Sequence, residues 1–110
     1  MSASDIVQAQ LEAYNAQDLD AFCACFADDC IVANLNGEVT QRGRTALRQR
    51  YGAMFATNPR NKARVAKRIA VGDYVIDHEE IDRGPGGEQF AVIAIYTVKG
   101  GLITRLELAR

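Results

Sequence analysis

Four consecutive polar residues, Asp77-His78-Glu79-Glu80, interrupt a β-rich run from Tyr74 to Asp82 and form the densest group of proton-exchanging side chains in the chain. On a strand, alternate side chains point to opposite faces, so His78 and Glu80 share one face and Asp77 and Glu79 the other. Two positions along one face are about 7 Å apart, close enough for a shared proton or a bridging water. His78 is the only histidine, and an imidazole beside a carboxylate is suited to general-base work, the carboxylate stabilising its charged form. Whichever register the strand takes, at least one carboxylate points inward. The chemistry this supports is proton transfer. The alternative is that the same groups satisfy one another at a wet pocket mouth, with no turnover.

Two other clusters invite chemistry and support it less well. Cys23, Cys25 and Cys30 fall within eight residues, but Cys23 and Cys25, two apart on a helix, point to opposite sides and cannot chelate one ion. An odd number of thiols without a leader-like N-terminus argues against a disulfide framework. They read as reduced, buried small hydrophobes, and no metal is expected. The basic run Arg60, Lys62, Arg64, Lys67 and Arg68 precedes a strand carrying Asp73, Asp77, Glu79 and Asp82. Paired across a hairpin the two sets compensate, each pair contributing at most about 1 kcal/mol, as a solvated face that fixes register.

The 110 residues suffice for one domain, here 1–110. Thirteen basic and fourteen acidic side chains give a net charge of −1, so no whole-chain field draws it to nucleic acid or anionic lipid. The N-terminus MSASDIVQAQ has no basic segment followed by an apolar one, and no window is long enough to span a bilayer. A cytoplasmic location is expected.

Helical spacing dominates the first half. Ser4 is read as the cap of a first helix in which Ile6, Val7, Gln10, Leu11 and Tyr14 form the inward stripe. Asp18 caps a second, with Leu19, Phe22, Cys23 and Phe26 at i, i+3, i+4 and i+7, ending at Asp28-Asp29. A strand from Cys30 to Leu35 runs into Asn36-Gly37, suited to a type I′ turn. Thr45 caps a third helix carrying Leu47, Tyr51, Met54 and Phe55, which Asn58-Pro59 stops. Turn signals at Gly72-Asp73, Gly84 to Gly87 and Gly100-Gly101 then divide the remainder into strands near 62–71, 74–82, 88–98 and 102–109. Three helices followed by an antiparallel meander is the α+β pattern, with the helices on one face of a curved sheet.

The segment Asn15-Ala16-Gln17-Asp18-Leu19-Asp20, the following Phe26-Ala27-Asp28-Asp29, and Gly43-Arg44-Thr45-Ala46-Leu47-Arg48 resemble the nuclear transport factor 2-like superfamily, in its SnoaL-like and ketosteroid isomerase-like branch. The resemblance covers nearly the whole chain and implies a cone-shaped, cystatin-like α+β fold, its sheet mixed but mostly antiparallel. It also tests specific chemistries. The isomerase's oxyanion tyrosine falls on Gln10, its proton-shuttling aspartate on Asn34, and its protonated aspartate on Ala94, so neither the base nor the oxyanion hole of that enzyme is present. The aspartate, arginine and aspartate of the epoxide hydrolases fall on Asp82, Glu80 and Leu108, where a carboxylate replaces the guanidinium.

The register implied by the resemblance turns Tyr74, Ile76, His78 and Glu80 into the cone, with Ala94, Tyr96, Leu106 and Leu108. On that reading His78 and Glu80 are the acid–base pair and Tyr14 a hydroxyl donor. Gln10 and Asn34 orient a substrate carbonyl, and Tyr51 and Phe55 form the wall. The strand from Gln89 to Val98 is apolar on both faces, so its outer face is expected to meet a second copy, giving a homodimer through the convex side of the sheet. The expected function is a cofactor-free isomerase, cyclase or hydratase acting on a small apolar molecule. The alternative is a non-catalytic ligand-binding or interaction module that kept the cone and lost the chemistry.

Overall fold

A computed structural model describes all 110 residues. Three helices, α1 (Ala3–Ala16), α2 (Leu19–Ala24) and α3 (Gly43–Thr57), pack on a six-stranded sheet. The strands are β1 (Phe26–Asn34), β2 (Val39–Arg42), β3 (Lys62–Val71), β4 (Tyr74–Asp82), β5 (Gln89–Lys99) and β6 (Leu102–Ala109). Their order is β2-β1-β6-β5-β4-β3. The last four strands form the expected antiparallel meander. β1 runs parallel to β6 and antiparallel to β2, which makes the sheet mixed.

Several local boundaries differ from the sequence reading, each for an identifiable reason. The cap of α1 is Ser2, not Ser4, because Ser2 and Asp5 close a reciprocal capping box, Asp5 N–H to Ser2 Oγ at 3.2 Å and Ser2 N–H to Asp5 Oδ2 at 2.9 Å. Phe26 belongs to β1 and not to α2, since its backbone pairs with Ile103 of β6 while its carbonyl accepts from the Arg44 guanidinium. Its ring is fully buried and lies 5.1 Å from that of Phe22. Helical spacing therefore reported a buried position correctly but its backbone wrongly. After β1 only Asn36 takes the left-handed conformation, at φ 56°. A type I′ turn needs two such residues, and the chain makes a wider loop in which Asn34 N–H donates to Glu38 O. α3 begins two residues before Thr45, with Arg42 as an N-cap that supplies no side-chain bond.

The main core joins the helices to the inner face of the sheet through Val7, Phe22, Phe26, Leu47, Val75 and Ile103, none more than 0% exposed. Cys23 and Cys30 are buried within it as free thiols, and Cys25 caps α2 half-buried. Burial raises the pKa of all three. No helix is long and apolar enough to cross a membrane. A smaller apolar cluster, Leu11, Ala63 and Ile81, sits toward the other end of the sheet. The inner surface between the two clusters is left open to a cavity.

Candidate active site

The cavity is about 160 Å³ in volume and opens between α1, α3 and the ends of β3 to β6. Its lining is mostly hydrophobic, with Leu11 from α1, Met54 from α3, Ile81 from β4, Val92 from β5, and Leu106 and Leu108 from β6. The polar groups that reach it are Gln10, Tyr14, Arg50, Tyr51, Glu79, Arg83 and Tyr96. Glu79 is the one carboxylate among them.

The burial pattern of β4 alternates strictly, with Val75, Asp77, Glu79 and Ile81 buried and Tyr74, Ile76, His78, Glu80 and Asp82 exposed. This reverses the expected register. The pairing with β5 fixes it, because Val75 lies opposite Tyr96, Asp77 opposite Ala94 and Glu79 opposite Val92. Paired residues of an antiparallel ladder share a face, and Ala94 and Tyr96 do face inward as expected. Tyr74, Ile76, His78 and Glu80 therefore cannot face inward with them. Tyr74 and Ile76 stand on the outer face, 54% and 38% exposed. His78 and Glu80 line a broad, open groove on that same side, and Glu80 is ion-paired with Arg64 at 2.5 Å. The pair expected to carry the chemistry thus lies across the sheet from the cavity. The expectation of an inward carboxylate in either register is met by Glu79.

Of the remaining expected site residues, Gln10, Tyr14, Tyr51, Tyr96, Leu106 and Leu108 line the cavity. Ala94 and Phe55 are buried in the core beside it without reaching it. Asn34 is exposed at the end of β1, where its backbone meets the loop. Gln10 turns its amide onto the Val7 carbonyl at 3.2 Å.

Glu79 is 7% exposed and accepts a hydrogen bond from the Tyr96 hydroxyl at 3.1 Å. Burial, and then the charge of Asp77 two residues along, push its pKa up from the usual carboxylate range to about 7; the Tyr96 bond and Arg68 pull the other way and lose. Tyr96 is raised well above its ordinary value, first by burial and then by the adjacent Glu79. Asp77 is fully buried against a partner. Arg68 holds it through two bonds, Nε to Oδ1 at 2.7 Å and Nη2 to Oδ2 at 3.0 Å, and its Nη1 reaches Gln8 Oε1 at 3.0 Å. Two carboxylates on one strand face thus have separate roles, Asp77 ion-paired and Glu79 without a cation.

A second polar chain was not foreseen from the sequence. Asn61, fully buried just before β3, donates from Nδ2 to the Tyr14 hydroxyl at 2.8 Å and accepts from Arg83 Nη1 at 2.8 Å. Because the Tyr14 oxygen is occupied as an acceptor, its own proton is left to donate elsewhere. Burial raises the Tyr14 pKa, against the lowering effects of Asn61 and Arg83, so the hydroxyl stays protonated at neutral pH. Tyr51 is pushed to about 12 by burial. The only signal of this chain in the sequence is the pair of polar residues at the start of β3 and the end of β4, Asn61 and Arg83, and long-range pairing of side chains leaves no periodic trace.

The profile of the SnoaL-like domain matches residues 7–106 of this chain. A cystatin-fold protein of Novosphingobium aromaticivorans superposes with a TM-score of 0.93 at 36% identity, covering 100% of this chain and 99% of that one. A candidate polyketide cyclase of Sinorhizobium meliloti gives a TM-score of 0.82 at 25% identity, over 96% and 94% of the two chains. A candidate ketosteroid isomerase of Kribbella flavida shares the fold, with a TM-score of 0.80 at 17% identity over 96% and 75%. No curated protein matches the chain.

Proposed function

Because this chain belongs to the SnoaL-like domain family, we propose that it is a small-molecule proton-transfer enzyme, an isomerase or cyclase whose acid–base group is Glu79. The observation that carries the reading is a buried carboxyl lining the cavity, bonded to the Tyr96 hydroxyl with no cation paired to it, whose burial pushes its pKa up to about 7. A general base is most effective when its pKa lies near the working pH. As a carboxylate, Glu79 removes a proton from the carbon beside a substrate carbonyl. The C–H electron pair becomes the new C=C bond and the carbonyl oxygen takes up the charge. The Tyr14 hydroxyl, with its oxygen already holding the Asn61 amide, donates to that oxygen. Glu79 then returns its proton to a different carbon, or the enolate carbon attacks a second carbonyl within the same molecule and the alkoxide formed there takes the proton back from Glu79. The Tyr96 hydroxyl holds the carboxylate in place throughout.

The experiment is incorporation of deuterium beside the carbonyl of small ketones, followed by NMR. Wild type is expected to exchange and Glu79→Gln to lose about 100-fold or more of the rate. Equal exchange by the two proteins would sink the assignment, and no exchange by either would favour the binding module.

The outer face supports a homodimer as well. Ile69, Ile76 and Ile95 form one cross-strand row, and Val71 and Tyr74 pair in the next. Ile69 and Val71 are 62% and 73% exposed. A surface of this kind is stabilised by a second copy, and a monomeric mass in sedimentation would contradict the dimer.

A further inference from the structure

The cavity is polarised, and its cationic end has no counterion. Ion pairs to carboxylates occupy Arg44, Arg48, Arg64, Arg68, Arg105 and Arg110. Arg50 and Arg83 both line the cavity and are in none of them; Arg50 is committed to Gln41 Oε1 at 2.6 Å, whereas the Arg83 guanidinium donates to the neutral Asn61 side chain at 2.8 Å, lies beside the Tyr14 hydroxyl and sits 5.0 Å from the centre of the Phe90 ring. The same ring carries Arg110 on it at 3.6 Å, but Arg110 is already paired with Glu88 at 2.6 Å. An arginine fixed by a side-chain amide and an aromatic ring, with no carboxylate on its donor fork, is preorganised for a planar anion. Tyr14 lines the same cavity and feels both the positive charge of Arg83 and the negative charge of Glu79.

We infer that the substrate is a small oxo acid, its carboxylate held by Arg83, its carbonyl oxygen by the Tyr14 hydroxyl, and its acidic C–H facing Glu79. The inference rests on the proton-transfer reading and adds the class of molecule. Size limits it further. A cavity of about 160 Å³ holds a body close to that of benzene, which fits a chain of five or six carbons. Such a molecule satisfies the cation, the hydroxyl donor and the apolar wall together, whereas a neutral hydrocarbon leaves the guanidinium facing apolar surface without a partner.

The test titrates 4-oxopentanoate and its methyl ester into wild type, Arg83→Gln, Arg83→Lys and Glu79→Gln, reading affinity from NMR shifts and deuterium exchange from the same samples. Wild type is expected to prefer the acid to the ester. Arg83→Gln should weaken the acid about tenfold or more while leaving the ester unchanged, with Arg83→Lys intermediate because it keeps the charge and loses the fork. Equal affinity of wild type and Arg83→Gln for the acid, a preference for the ester, or no binding of either probe overturns the inference. Exchange that depends on Glu79 but shows no preference for the acid removes the oxo-acid class and leaves the proton-transfer reading standing. Acid binding that depends on Arg83, with exchange indifferent to Glu79→Gln, does the reverse.

Discussion

At the scale of single residues, the raised pKa of Glu79 has a cost that can be measured apart from any activity. Its folded value of about 7 stands above the reference 4.5. Between those values the folded protein therefore binds more protons than the unfolded chain, and stability falls as pH rises through that window, levelling off above 7. The full difference corresponds to about 3 kcal/mol. Replacing the carboxyl by a neutral amide removes the dependence, so Glu79→Gln is expected to match wild type near pH 4 and to be more stable than it at pH 8. Thermal melts at the two pH values check this. A stability difference independent of pH would mean that Glu79 ionises in the folded protein as it does in water. A side chain that weakens the fold at neutral pH is readily explained if the site uses it.

At the scale of elements, the β3–β4 hairpin sets which side chains the cavity receives. Its register places Arg68 opposite Asp77 on the inner face and Arg64 opposite Glu80 on the outer one. Of the four acids expected to compensate the basic run, only Asp77 is ion-paired, with Arg68, while Arg64 pairs with Glu80, and the two pairs are unequal. Arg64–Glu80 is solvated, whereas Asp77 is 0% exposed and Arg68 21%. Removing the cation alone, as Arg68→Met, should cost about 3–5 kcal/mol because it leaves a buried charge unpaired; the double variant with Asp77→Asn should recover most of it. Urea unfolding of the three proteins checks this, and additive losses would contradict it.

The same hairpin shows where sequence reading succeeds and where it stops. The bounds of β3, β4 and β6 could be read from glycine turns and β-rich runs, because those signals are local. Which face of β4 turns inward could not. Its odd positions hold Val75, Asp77, Glu79 and Ile81 and its even positions Tyr74, Ile76, His78 and Glu80, so each set mixes apolar and ionisable groups and neither is the evident core face. The decision is made by the ladder with β5, where the inward Ala94 and Tyr96 fix Asp77 and Val75 beside them. Asn61 and Arg83 leave no local signal for a related reason: Asn61 meets Tyr14 across 47 residues of sequence and Arg83 meets Asn61 across 22.

At the scale of the whole molecule, the helices cover one side of the sheet incompletely, leaving a small cavity, while the other side carries an uncovered apolar ladder. The first feature supports chemistry inside one protomer and the second supports pairing of two. They are separated by the sheet itself, which is why His78 and Glu80, on the outer face, and Glu79, on the cavity side, have different environments despite being neighbours in sequence. The proposed proton transfer depends on the ionisation of one carboxyl, that of Glu79. Carbon-detected NMR of the glutamate side-chain carboxyls from pH 4 to 9, with Glu79→Gln to assign the signal, measures it directly. A midpoint near 7 for Glu79 is the predicted result, and a midpoint near 4.5 would contradict the account.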